Sequence, residues 1–155
     1  MLTSLEQSAF SMWLLGSNSI WAYPTVLTLH TFGMMALVGA ALMIDLRLLG
    51  FAREVPLQSM ARLFSIMWAS FALNAVTGTM LFVADAAKRG PQLLFWAKLA
   101  LVGLGLVSTV LIRRAHFQGT AEPVVISGAT RRLAVVSLLA WSAAVTAGRL
   151  LAYVG

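Results

Sequence analysis

The sequence predicts an all-α integral membrane protein, a four-helix up-and-down bundle with a short interfacial helix at its N-terminus. Three observations carry this expectation. Of the 155 residues, 60% are hydrophobic and only 10% charged, with a mean hydropathy of +0.88, whereas a soluble domain devotes about a quarter of its residues to charge. Four apolar runs each reach the length that a helix needs to cross hydrocarbon, about twenty residues. The prolines fall between these runs or in a first helical turn, where the missing N–H leaves no hydrogen bond broken.

At the N-terminus there is neither a basic n-region nor a small-x-small cleavage pattern, so a signal peptide is not expected. Ser4 and Gln7 have capping-box spacing, while Leu5, Ala9, Met12 and Trp13 share a helical face opposite Glu6, Gln7 and Ser11. That pattern predicts a short helix lying along the bilayer surface. The first span is expected at about 23–49, opened by Pro24, and the others at about 63–84, 93–112 and 133–154. Pro56, Pro91 and Pro123, with Gly50, Gly90, Gly119 and Gly128, punctuate the polar segments between them. Short connections make sequential spans antiparallel, and β-barrel alternation is absent, so residues 1–155 form one transmembrane domain.

Charge and composition exclude several function classes. The net charge is +6 and the pI near 11.2, yet the basic residues sit between apolar runs rather than on one polar face. Membrane lipids, not nucleic acid, are therefore the expected partners. With no cysteine, the chain has no disulfides, thiolate metal sites, iron–sulfur clusters or covalently attached c-type haem. Arg47, Arg53, Arg62, Arg113, Arg114, Arg131 and Arg132 gather around the connections after the first and third spans. By the positive-inside rule both termini should then be periplasmic. Trp21, Tyr23, Trp96 and Tyr153 fall at the opposite headgroup level as an aromatic belt.

Polar side chains within spans are costly in lipid and mark the candidate site. Counting about 1.5 Å per residue from the span ends puts His30, Asn74, Thr77, Lys98 and Arg149 at comparable depth in the outer half. Ser70, Asn74, Thr77 and Leu81 form one helical stripe, and Val145, Arg149 and Tyr153 another with Thr146 alongside; both are expected to face inward. His30 can ligate haem iron, relay protons or lock a neighbouring helix. Gly33, one turn below it, with Ala36 and Ala40, leaves room for a flat macrocycle or a second helix. Arg149 can pair with a haem propionate, with Lys98 assisting, and Tyr153 shares its face. Met80 is a candidate second iron ligand, whereas Met34 shares His30's face and His116 is a membrane leaflet away, so neither suits that role. No paired carboxylates or Ser/His/Asp arrangement occur in the spans, so activity as an enzyme on its own is not expected. Asp45 is expected to form an ion pair at the inner surface with Arg47 or Arg132.

The segments Trp21-Ala22-Tyr23-Pro24, Leu29-His30-Thr31-Phe32-Gly33 and Asp45-Leu46-Arg47-Leu48-Leu49-Gly50 resemble those of a family of small, uncharacterised bacterial four-span membrane proteins. The fourth span, with Trp141, Ala147-Gly148-Arg149 and Ala152-Tyr153, is similar to it as well. The resemblance covers most of the chain and implies the fold and the bacterial inner membrane; it implies no settled activity. Where that family often has a glutamate three residues before the histidine, this chain has Leu27.

Two functional expectations from different classes follow. One is a b-type cytochrome-like protein for electron transfer or redox or gas sensing, with haem b on His30 in a pocket lined by Asn74 and Thr77. The other is an assembly or accessory subunit of a membrane complex, with Gly103, Gly105 and Ser108 permitting close helix contact. Metal handling through His30 and methionines ranks behind both, because the methionines are dispersed. Four helices enclose too little interior to cover a haem, so a cyclic homo-oligomer is expected, together with a redox or membrane-complex partner.

Overall fold

The structure, a computed structural model, describes residues 3, 7–16, 21–117 and 126–153. Its elements are α1 (Ala9–Gly16), α2 (Ala22–Leu49), α3 (Ala61–Ala84), α4 (Ala86–Arg89), α5 (Leu93–His116) and α6 (Gly128–Leu150), with a 3₁₀ turn at Leu57–Met60 before α3. The four long helices, α2, α3, α5 and α6, are long and apolar enough to cross a membrane. The bundle end at Ala22, Ala84, Leu93 and Leu150 is called the upper end below.

Helix boundaries depart from the hydropathy limits where backbone and side chains disagree. The third span continues past the expected 112 to His116, because Arg113 and Arg114 end the apolar run without ending the hydrogen-bonded ladder. The fourth begins earlier, at Gly128, where the Ser127 side chain accepts from the Thr130 N–H at 3.2 Å. It stops at Leu150, short of the expected 154. Helix α2 ends in a Schellman-type turn: Gly50 at φ +103° donates to Arg47 O, and Phe51 donates to Leu46 O.

Helix α1 forms at the N-terminus as expected. Ser11 is fully buried, while Met12 and Trp13 are exposed, because α1 packs against α2 and α3. Its N–H at Ser11 is capped by the Ser8 hydroxyl at 3.3 Å; the expected cap at Ser4 lies outside the described residues, as do Leu5 and Glu6.

Side-by-side packing runs α3 to α2, α2 to α6 and α6 to α5. Glycines set the closest approaches. A Cβ at Gly33 would stand 2.5 Å from Asn74 Nδ2, joining α2 to α3, and one at Gly105 would stand 2.6 Å from Trp141 Cε2, joining α5 to α6. The core lies in the lower half and includes Leu37, Ile44 and Leu48 of α2, Phe64 and Met67 of α3, Ile112 of α5 and Trp141 of α6. Many large apolar side chains face outward, including Phe32, Met35, Val76 and Leu139. That distribution suits a lipid solvent.

Asp45 does not form the expected ion pair. It is 1% exposed, beside Ser137 of α6, and its Oδ2 has no hydrogen-bond partner. Helical phase explains this: Leu37, Ala41, Ile44 and Leu48 are buried on the same face, so Asp45 turns inward with them. Arg47 turns outward and donates to Val55 O at 2.7 Å and Arg53 O at 3.1 Å, bracing the connection to α3. The ion pair present among the described residues is Arg89–Asp85 at 2.8 Å, at the upper end.

Candidate functional site

Helices α3 and α5 lack the close packing that joins the other neighbouring pairs. They meet near the upper end, where Phe82 and Phe95 stack with ring centroids 4.9 Å apart and planes 16° from parallel. Below that stack lies a cavity of about 550 Å³, within the usual range for cofactor and small-molecule sites. Its walls are strongly apolar, with Phe71, Phe82, Phe95 and Trp96 supplying rings and Met34, Leu99 and Val102 aliphatic surface. A few polar groups converge on it: His30 from α2, Asn74 and Thr79 from α3, and Lys98 from α5.

His30 is oriented by Thr77 of α3. Its Nδ1 lies 2.9 Å from Thr77 Oγ1, and the Thr77 hydroxyl donates its single proton to Leu73 O at 2.7 Å. With the hydroxyl proton on Leu73 O, the imidazole donates from Nδ1 and the Nε2 lone pair is left free. No described residue hydrogen-bonds to Nε2. Gly78 makes room for the ring: a Cβ there would stand 3.2 Å from His30 Cε1.

Asn74 is 8% exposed and donates from Nδ2 to Ser70 O at 3.0 Å, leaving its buried Oδ1 without a partner. Gly33 forms the seat for this side chain rather than a wall of the cavity. Lys98 is half-buried, and its stem lies over Gly148 of α6, where a Cβ would stand 3.3 Å from Lys98 Cε.

Thus His30, Asn74 and Lys98 line one cavity, Thr77 orients His30, and Gly33 seats Asn74. Three residues expected at the site lie elsewhere. Met80 packs against Val26 and Ala84 and does not line the cavity. Arg149 is exposed, with its guanidinium 5.6 Å from the centroid of the Tyr153 ring, itself 72% exposed. The α6 stripe of Val145, Thr146, Arg149 and Tyr153 faces outward because Ala140, Ala144 and Ala147, on the opposite side, permit closer helix approach. The α3 stripe of Ser70, Asn74 and Thr77 is buried as expected. His116 bonds Thr130 Oγ1 through Nε2 at 2.7 Å, tying the end of α5 to the start of α6.

Sequence reasoning missed the aromatic lining. The signal was present as two helical rows, Phe71, Ala75, Gly78 and Phe82 on α3, and Phe95, Leu99, Val102 and Leu106 on α5. Nothing in either row tells a cavity from a lipid-facing surface until the α3–α5 gap is seen.

Fold and site together define a four-span membrane protein with a largely apolar cavity between its second and third spans. The chain belongs to the family of unknown function DUF6644, whose profile matches residues 13–154. No curated protein and no solved structure matches it.

Proposed function

We propose that this is a b-type haem-binding protein of the bacterial inner membrane, with both termini periplasmic and the haem in the outer half of the bundle, serving electron transfer or redox or gas sensing. The observation that carries the reading is His30: an imidazole on the wall of a cavity of about 550 Å³, with Nδ1–H committed to Thr77 and Nε2 left as a free ligand atom. The donor set suits iron that arrives already held in a macrocycle. Among the described residues no group of three His, Cys, Asp or Glu side chains can hold a bare metal ion, whereas haem needs only one axial side chain. When bound, haem supplies one-electron chemistry or a coordination position for a small gas. The chain's own part is to orient the imidazole through Thr77, to exclude water with Phe71, Phe82 and Phe95, and to present Lys98 to an anionic edge.

Met34 is the one methionine among the described residues that lines the cavity, and it shares His30's helix. A cyclic homo-oligomer would cover the open side between α3 and α5, and a redox partner or larger membrane complex would exchange electrons with it. The absorption spectrum tests the reading. Protein made with ample haem and gently purified should show a Soret band that His30→Ala abolishes. Colourless wild-type protein overturns it. The unpacked α3–α5 side favours the second reading in that case, an accessory subunit that seats a partner's helix there.

A further inference from the structure

Lys98 stands out as a cation with no counter-ion among the described residues. It is half-buried on the wall of an apolar cavity, and among the described residues it has neither a hydrogen bond nor an ion pair. The acidic side chains among the described residues do not serve it. Asp85 is engaged with Arg89 at 2.8 Å, Asp45 is buried beside Ser137 in the lower half, and Glu54 belongs to the lower connection between α2 and α3. Nor does Lys98 hang free, because its stem and ammonium nitrogen are laid along Gly148, where a Cβ would stand 3.3 Å from Cε and 3.4 Å from Nζ. The remaining polar groups that line the cavity add no negative charge. An ammonium group held in so apolar a place is stabilised by pairing with an anion, and no described side chain supplies one.

We propose that the cavity between α3 and α5 binds a molecule with an apolar body and a carboxylate, and that Lys98 is the residue that pairs with that carboxylate. The inference rests on the reading of this cavity as a ligand site and transfers the anion-anchoring role expected of Arg149 to Lys98. Two sources offer the chemistry: the propionates of haem, and the carboxylate of a fatty acid that enters sideways from the bilayer through the α3–α5 side. In both, the body lies against Phe71, Phe95 and Val102 while the acid group reaches Lys98. Arg149, exposed and laid over Tyr153, has no part in it.

The test uses the full chain in phosphatidylcholine nanodiscs, with empty discs as the blank, and two probe pairs. Haem b is compared with its dimethyl ester by absorption, and the fluorescent fatty acid cis-parinaric acid with its methyl ester by emission. At least one acid should bind about tenfold more tightly than its ester, the scale expected of a charge-assisted contact. Lys98→Gln should remove that preference, Lys98→Arg should retain it, and Arg149→Gln should leave it unchanged, with helical circular dichroism equal in all four proteins. Haem that binds as well as its ester would overturn the inference for haem while sparing the haem reading. Parinaric acid bound in a Lys98-dependent way by a protein that ignores haem would do the reverse. Acid preference that survives Lys98→Gln, or no binding of either acid, refutes the proposal outright.

Discussion

Gly105→Ala is the substitution whose consequence follows most directly from the packing. The added Cβ would stand 2.6 Å from Trp141 Cε2, 2.9 Å from Cζ2 and 3.0 Å from Cδ2. Carbon atoms settle at about 3.5–4.0 Å, so the indole or the α5 backbone must retreat by about 1 Å. Trp141 is only 2% exposed and belongs to the core cluster with Leu37, Phe64 and Ile112, so moving it disturbs packed neighbours. Overpacking of this kind costs about 1–3 kcal/mol. A control lies two residues away: a Cβ at Gly103 would meet nothing within 4 Å. Both variants gain the same helix propensity, about 0.8–1 kcal/mol, so it cancels in their difference. Gly105→Ala should therefore be less stable than Gly103→Ala by about 1–3 kcal/mol, the overpacking term alone. Reversible unfolding in mixed detergent micelles, followed by circular dichroism and tryptophan emission, measures this. Equal stability of the two variants would refute the argument that Gly105 is fixed by the indole.

Thr77→Val removes the hydroxyl that accepts from His30 Nδ1, and haem affinity should fall about 10–100-fold, as for other ligand-orienting groups; Thr77→Ser should keep it, and an unchanged spectral titration of the valine variant would discard the orienting role. Met80→Leu should leave both the haem spectrum and its titration unaltered, because Met80 packs against Val26 and Ala84; loss of the spectrum would restore Met80 as a ligand. Since the chain has no cysteine, Arg53→Cys and Arg131→Cys should each give a single thiol, labelled from the cytoplasmic side alone; labelling only from the periplasm would invert the topology. Native mass spectrometry in mild detergent should show a cyclic homo-oligomer, and monomers at every concentration would count against it.

The sequence alone determined the membrane class, the four spans and the residues costly enough in lipid to mark a site. The physical reason is that length, hydropathy and the price of a buried polar group are local properties of the chain, legible in the apolar run at about 23–49 and in His30 within it. It also carried the inward stripe of Ser70, Asn74 and Thr77. Tertiary structure decided which side of each helix meets which neighbour. Asp45 went into the core with Ile44 and Leu48, and Arg149 turned out because the alanine face of α6 packs more closely. Only the spatial arrangement revealed that α3 and α5 part below the Phe82–Phe95 stack, opening the cavity that gathers His30, Asn74 and Lys98. In a solvent as apolar as the side chains themselves, hydropathy does not distinguish a face turned to lipid from one turned to a helix or a cavity; the fit of small residues against large ones does.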